Sequence, residues 1–166
     1  ARALLSAQLR AAQAAGYPLA GLRASDARIY GRYGYGIASW SVRHDLDLTR
    51  TGLVTGAPDL PLRLVDPLVD LPLMRRIAEA APSPRPAALK RWDAWWEMQA
   101  FRQRHSAGPF HAVVVGPPGA ERGFLRFHTL ADGPWFTASE RRADIDDFVA
   151  HDATTWRALI HYLASR

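Results

Sequence analysis

The sequence predicts an α/β protein, of the α+β kind with a mixed sheet, on three observations. Ala1 to Ala15 is rich in alanine and leucine at helical spacing and is followed by Gly16 and Pro18, the composition and the stop of a helix. Ile37 to Leu48 alternates apolar and polar residues, the period of a half-buried strand. Phe110 to Val115 and Gly123 to His128 flank Pro117-Pro118-Gly119 and read as an antiparallel hairpin.

Taken in order, the first helix carries Leu5, Leu9 and Ala12 on one stripe. Leu19 to Ala24 reads as a buried strand. Ser25 or Asp26 then offers an oxygen to the free N–H groups of a short helix that Gly34 closes. Tyr30 and Tyr33 are three residues apart and are expected on one face of it, with Gly31 leaving room for a backbone or a thin ligand. In the strand Ile37 to Leu48, Ala38, Trp40, Val42, Leu46 and Leu48 share a face; His44 falls on that apolar side and reads as a hydrogen-bonded core histidine. Thr49 to Pro61 holds two glycines and two prolines and reads as a loop between units.

Leu62 to Val65 makes a short strand, and Asp70 with Pro72 opens a helix that passes Met74 and Ile77 and stops before Pro82. Pro82-Ser83-Pro84-Arg85-Pro86 is a stiff connector. Ala87 to Arg104 reads as a helix with Leu89, Trp92 and Trp96 on one stripe and Trp95 and Phe101 off it. Core packing is the main reading of these aromatics, an acceptor pocket or subunit contact the alternative. After the hairpin, a strand spans Ala143 to Val149, and Asp152 caps a helix expected to bury Trp156, Ile160 and Leu163. Gly116-Pro117-Pro118-Gly119 is a turn and not a phosphate loop, because no Lys-Ser/Thr pair follows it.

At 166 residues and 48% apolar content the chain can bury a core. The formal charge is +5 and the pI near 10.2, yet the 21 basic residues include a single lysine, Lys90, and are scattered among acids. Scattered charge argues against a nucleic-acid partner. The chain has no cysteine, which excludes a disulfide framework, a thiolate nucleophile and a cysteine metal site, and fits a cytoplasmic location. No stretch approaches the roughly 20 apolar residues of a membrane span, and the first residues do not read as a signal peptide. The sequence starts inside a helix without an initiating methionine, so it is expected to be a portion of a longer chain.

The string Ala24-Ser25-x-x-x-Ile29-Tyr30-Gly31-Arg32-Tyr33-Gly34-Tyr35-Gly36, preceded by Gly16-Tyr17-Pro18-Leu19-Ala20-Gly21-Leu22, resembles the enhanced-intracellular-survival (Eis) branch of the GNAT N-acetyltransferases. A weaker resemblance covers the rest, ending at Asp152-Ala153-Thr154-Thr155-Trp156-Arg157-Ala158-Leu159-Ile160. It implies a tandem GNAT-like acyltransferase fold, incomplete in this sequence. Residues 1–50 would be the C-terminal part of a first GNAT domain, 51–61 a linker, and 62–166 the N-terminal part of a second GNAT-like domain. The order strand, helix, helix, hairpin, strand, helix from Leu62 onward is the opening of such a unit.

By that resemblance Tyr30 is the general acid that returns a proton to the coenzyme A thiolate. Ser25 lines the same site, and Arg2 stands at the last turn of the loop that grips the coenzyme pyrophosphate. The implied function is transfer of an acetyl group from acetyl-coenzyme A to primary amines of aminoglycoside, lysine or polyamine type. No metal is needed, and a homo-oligomer, a hexamer in the family, is expected. In the family the base is the C-terminal carboxylate of a third domain, so this sequence alone is expected to be inactive. Tyr33 and Tyr35 read as packing residues. The alternative is a non-catalytic GNAT-like assembly or interaction module.

Overall fold

The computed structural model describes residues 2–39, 56, 58–83, 90–106, 108–131 and 141–165. The chain divides into two compact units, Ala1–Leu46 and Asp47–Arg166.

In the first unit, α1 (Arg2–Ala14) is the predicted helix. Leu5, Leu9 and Ala12 form its half-buried stripe, and it closes with Tyr17 N–H donating to the Ala12 carbonyl. The strand expected at Leu19 to Ala24 does not form. A strand is held by its ladder, none of the described residues of this unit offers one, and Leu19 is left 85% exposed. The short tyrosine helix is instead two single turns of 3₁₀ helix, Ala27–Ile29 and Gly31–Tyr33. Asp26 rather than Ser25 caps the first, its Oδ1 accepting from the Arg28 N–H at 3.0 Å. Gly34 ends the second at φ +88°, the left-handed conformation that glycine adopts without strain. Ile37 to Ser39 is not in a strand, and the rest of that predicted strand, His44 included, lies outside the described residues.

The second unit is a four-stranded antiparallel sheet in the order β1-β2-β3-β4, formed by β1 (Leu62–Val65), β2 (Phe110–Val115), β3 (Gly123–Ala131) and β4 (Arg141–Ala150). Between β1 and β2 the chain forms α2 (Leu71–Ala80) and α3 (Asp93–Arg104), and after β4 it forms α4 (Ala153–Ala164). Alternation along the strands sends side chains to both faces, so the sheet carries two cores. One joins Met74, Ile77 and Trp96 of α2 and α3 to Ala112, Val114, Phe124 and Val149. The other joins Ala158, Leu159 and Leu163 of α4 to Val113, Val115 and Leu125.

The predicted hairpin forms, and Ala120 N–H donates to the Pro117 carbonyl across Pro118 and Gly119. With Gly119 at φ +86° this is a turn with proline and glycine at its centre, the pairing a type II turn requires. Asp70 sits at the start of α2 but its carboxylate accepts from the Asp66 N–H at 2.9 Å instead of from the helix, while Asp66 in turn accepts from Leu68 and Val69.

Two helix expectations need correction. α3 starts at Asp93, not Ala87, and Trp92 is 64% exposed at its cap, so Trp96 alone of the predicted stripe's tryptophans enters the core; 84–89, with Leu89, lie outside the described residues. In α4 the buried face is Thr155, Ala158, Leu159 and Leu163, whereas Trp156 is 50% exposed and Ile160 half-buried. The reason is the close seat of the α4 N-terminus on β3, which turns Thr155 rather than Trp156 toward Gly123.

Candidate active site

The tyrosine turns are the best-defined polar feature of the first unit. Asp26 holds Arg28 through its backbone N–H, Nε and NH2, the last at 2.9 Å. Those bonds keep the Asp26 carboxyl below its usual range, the Arg28 side chain contributing most. Tyr30 stands at the junction, ending one turn and starting the next. Its N–H donates to the Ala27 carbonyl at 3.2 Å and its own carbonyl accepts from Tyr33 at 3.0 Å and Tyr35 at 3.4 Å. Three backbone bonds therefore fix the tyrosine in both directions along the chain.

The Tyr30 ring meets Tyr35 edge-on, with centroids 6.0 Å apart, a favourable arrangement for two aromatic quadrupoles. Arg32 lies over the Tyr33 ring at 5.5 Å. Tyr30 is half-buried, so its side chain is not sealed in a core, and Ser25 is exposed. Arg2 is the first residue of α1 and is exposed. Among the described residues no hydrogen bond or ion pair joins Arg2, Ser25 and Tyr30 to one another. A groove of about 250 Å³ runs between the last turns of α1 and Tyr17–Ala20 and does not include Tyr30.

The first turn of α1 carries Arg2 and no acidic residue. α4 is closed: Asp152 accepts from the Thr155 N–H at 2.7 Å and pairs with Arg122 at 2.6 Å. An anion approaching α4 would meet a carboxylate already in place. Among the described residues no cluster of histidine, aspartate or glutamate could hold a metal, and no helix is long and apolar enough to cross a membrane.

A polar cluster under α3 escaped sequence reading. Arg126 is 1% exposed and donates to Gln99 of α3. Arg91 donates to Asp147 at 2.6 Å, and Asp146 receives His128 at 2.6 Å and Arg102 at 3.4 Å. The β3–β4 register shifts beside Arg126, from Arg126↔Asp147 to Phe127↔Ile145, leaving Asp146 as the extra residue of a bulge. Three acids in four residues of a strand, Asp144, Asp146 and Asp147, were the available signal, but alternation fails at a bulge.

This is the GNAT-like acyltransferase fold, a mixed α/β arrangement with an antiparallel sheet, and residues 87–166 match the acetyltransferase (GNAT) domain family. The relatives are specific. An uncharacterized N-acetyltransferase of Streptomyces griseus is 29% identical over 174 residues, covering 98% of this chain and 41% of the relative. Another, of Streptomyces avermitilis, is 32% identical over 166 residues, covering 95% and 40%. The crystal structure of Eis1 from Mycobacterium abscessus superposes with a TM-score of 0.78 at 29% identity, over 99% of this chain and 40% of that one. The chain thus spans about two fifths of the length of the relatives it matches.

Proposed function

We propose that the protein is an N-acetyltransferase that moves an acetyl group from acetyl-coenzyme A to a primary amine, of aminoglycoside, lysine or polyamine type, with Tyr30 as general acid. The observation that carries this is the placement of Tyr30, pinned by its backbone between two helical turns and half-buried, in a chain whose relatives are named N-acetyltransferases. Tyrosine ordinarily keeps its proton until about pH 10, so it can donate one at neutral pH.

The coenzyme supplies the activated acetyl group, and the chain supplies the proton and the anchoring. Tyr30 gives its hydroxyl proton to sulfur as the C–S bond breaks and the C–N bond forms; the amine's proton passes to water, from which the phenolate is reprotonated. Arg2, on a first helical turn free of acids, supports binding of the pyrophosphate, and Ser25 offers a hydroxyl on the same stretch as Tyr30. Location in the cytoplasm and assembly into a homo-oligomer complete this reading.

The test is thiol release from acetyl-coenzyme A with a polyamine acceptor, measured on the full-length protein and on Tyr30→Phe. Loss of a general acid is expected to lower turnover about a hundred- to ten-thousandfold with circular dichroism unchanged. Unchanged turnover removes Tyr30 from the chemistry. No thiol release by wild type with any of several amines would leave the assembly module as the reading.

A further inference from the structure

Backbone hydrogen bonds fix where the Tyr30 side chain leaves the main chain, but not where its hydroxyl ends. The oxygen of a tyrosine lies beyond two side-chain torsions, and a change from one staggered χ1 well to the next swings the whole ring by about 120°. Tyr30 is half-buried, so packing closes part of the space around it and leaves part open.

Tyr35 restricts the ring. The turn Gly31–Tyr33 ends at Gly34, whose φ of +88° and ψ of 7° redirect the chain. Tyr35 then returns to Tyr30 in two ways. Its N–H donates to the Tyr30 carbonyl at 3.4 Å, and its ring meets the Tyr30 ring edge-on, with centroids 6.0 Å apart and planes at 77°. Tyr35 is itself half-buried, and the turn before it lies beside α1, with Cα atoms within 8 Å of the helix. Tyr33, nearer in sequence, has its ring under the Arg32 guanidinium. A Cβ on Gly34 would meet nothing within 4 Å, so no neighbour demands a glycine there. The left-handed backbone demands it, and the return of Tyr35 is what that backbone achieves.

We propose that Tyr35 is a positioning residue for Tyr30, its ring holding the phenol in the rotamer from which the proton passes to the coenzyme sulfur. The inference rests on Tyr30 being the general acid. An edge-on ring pair favours one rotamer over another about two- to tenfold. Proton transfer needs the hydroxyl within hydrogen-bond reach of the sulfur, so a phenol in another rotamer contributes nothing to the step. The Tyr35 ring does this work and its hydroxyl has no part in it.

The experiment is steady-state thiol release from acetyl-coenzyme A with the polyamine spermidine as acceptor. It is measured on the full-length protein and on Tyr35→Phe, Tyr35→Ala, Tyr30→Phe and the double variant Tyr30→Phe/Tyr35→Ala. Tyr35→Phe keeps the ring and is expected to match wild type. Tyr35→Ala is expected to lower kcat about five- to tenfold with KM for acetyl-coenzyme A unchanged. In the Tyr30→Phe background it is expected to lower kcat no further, because the ring acts through a hydroxyl already removed. Gly34→Ala strains the turn without touching a neighbour; it is the second variant should Tyr35→Ala fail to fold, and is expected to act the same way. If Tyr30→Phe lowers kcat and Tyr35→Ala does not, or lowers it by one factor in both backgrounds, the inference is overturned while the Tyr30 acid stands. A raised KM with kcat kept would make Tyr35 a binding contact and overturn it equally. Unchanged turnover in Tyr30→Phe, or none in wild type, removes the acid and the inference with it.

Discussion

At the scale of single residues, what matters most is how little room certain side chains have. Gly123 opens β3 where α4 crosses, and a Cβ there would lie 2.5 Å from Thr155 Cγ2 and 2.6 Å from the Val149 carbonyl oxygen. The second neighbour is backbone and cannot swing aside. Gly123→Ala is expected to destabilise the protein by about 1–3 kcal/mol, the usual range for overpacking, read as a lower urea midpoint. Tyr30 shows the opposite condition, a residue fixed by its backbone but free to present its side chain. Its place in a capped turn could be read from Asp26 and Gly34, because both signals are local. Its partner Tyr35 could not, because it lies beyond Gly34, whose left-handed conformation at φ +88° redirects the chain after the second turn.

At the scale of elements, α4 separates local from tertiary causes. Its cap is local: Asp152 accepts from Thr155, and the Thr155 backbone N–H is the main reason the carboxyl is held below its ordinary range. A carboxyl whose folded pKa is depressed stabilises the fold above its unfolded pKa, about 4, and loses that contribution as pH falls through the folded value. Melting temperatures of wild type between about pH 5 and pH 2 should therefore fall more steeply than those of Asp152→Asn, which keeps a capping oxygen without the titration. The rotation of α4 is tertiary. Leu159 is 0% exposed and Trp156 50%, so Leu159→Ala should cost about 2–5 kcal/mol in urea unfolding. Trp156→Ala should cost clearly less, although the helical pattern alone favoured the tryptophan.

At the scale of the whole chain, the two units are built on different terms. Between residues 2 and 39 no residue is fully buried, while Val113, Val114, Phe124 and Leu125 in the second unit are 0% exposed. Amide hydrogens of α1 should therefore exchange orders of magnitude faster than those of β2 and β3, by mass spectrometry at neutral pH; equal protection would contradict the described burial. The order of elements from Leu62 onward, the hairpin, the Asp26, Asp152 and glycine caps and the Tyr30 turn were all legible, because each depends on residues within a few positions of one another. What the sequence by itself determined is thus this set of elements and the GNAT-like fold they build. Tertiary structure alone decided that Leu19 to Ala24 stays unpaired, which face α4 buries, and that a bulge at Asp146 gathers Arg91, Trp96, Gln99 and Arg126 beneath one helix. Ladder partners, seating angle and register are set by contacts between segments far apart in the chain, and local periodicity carries no record of them.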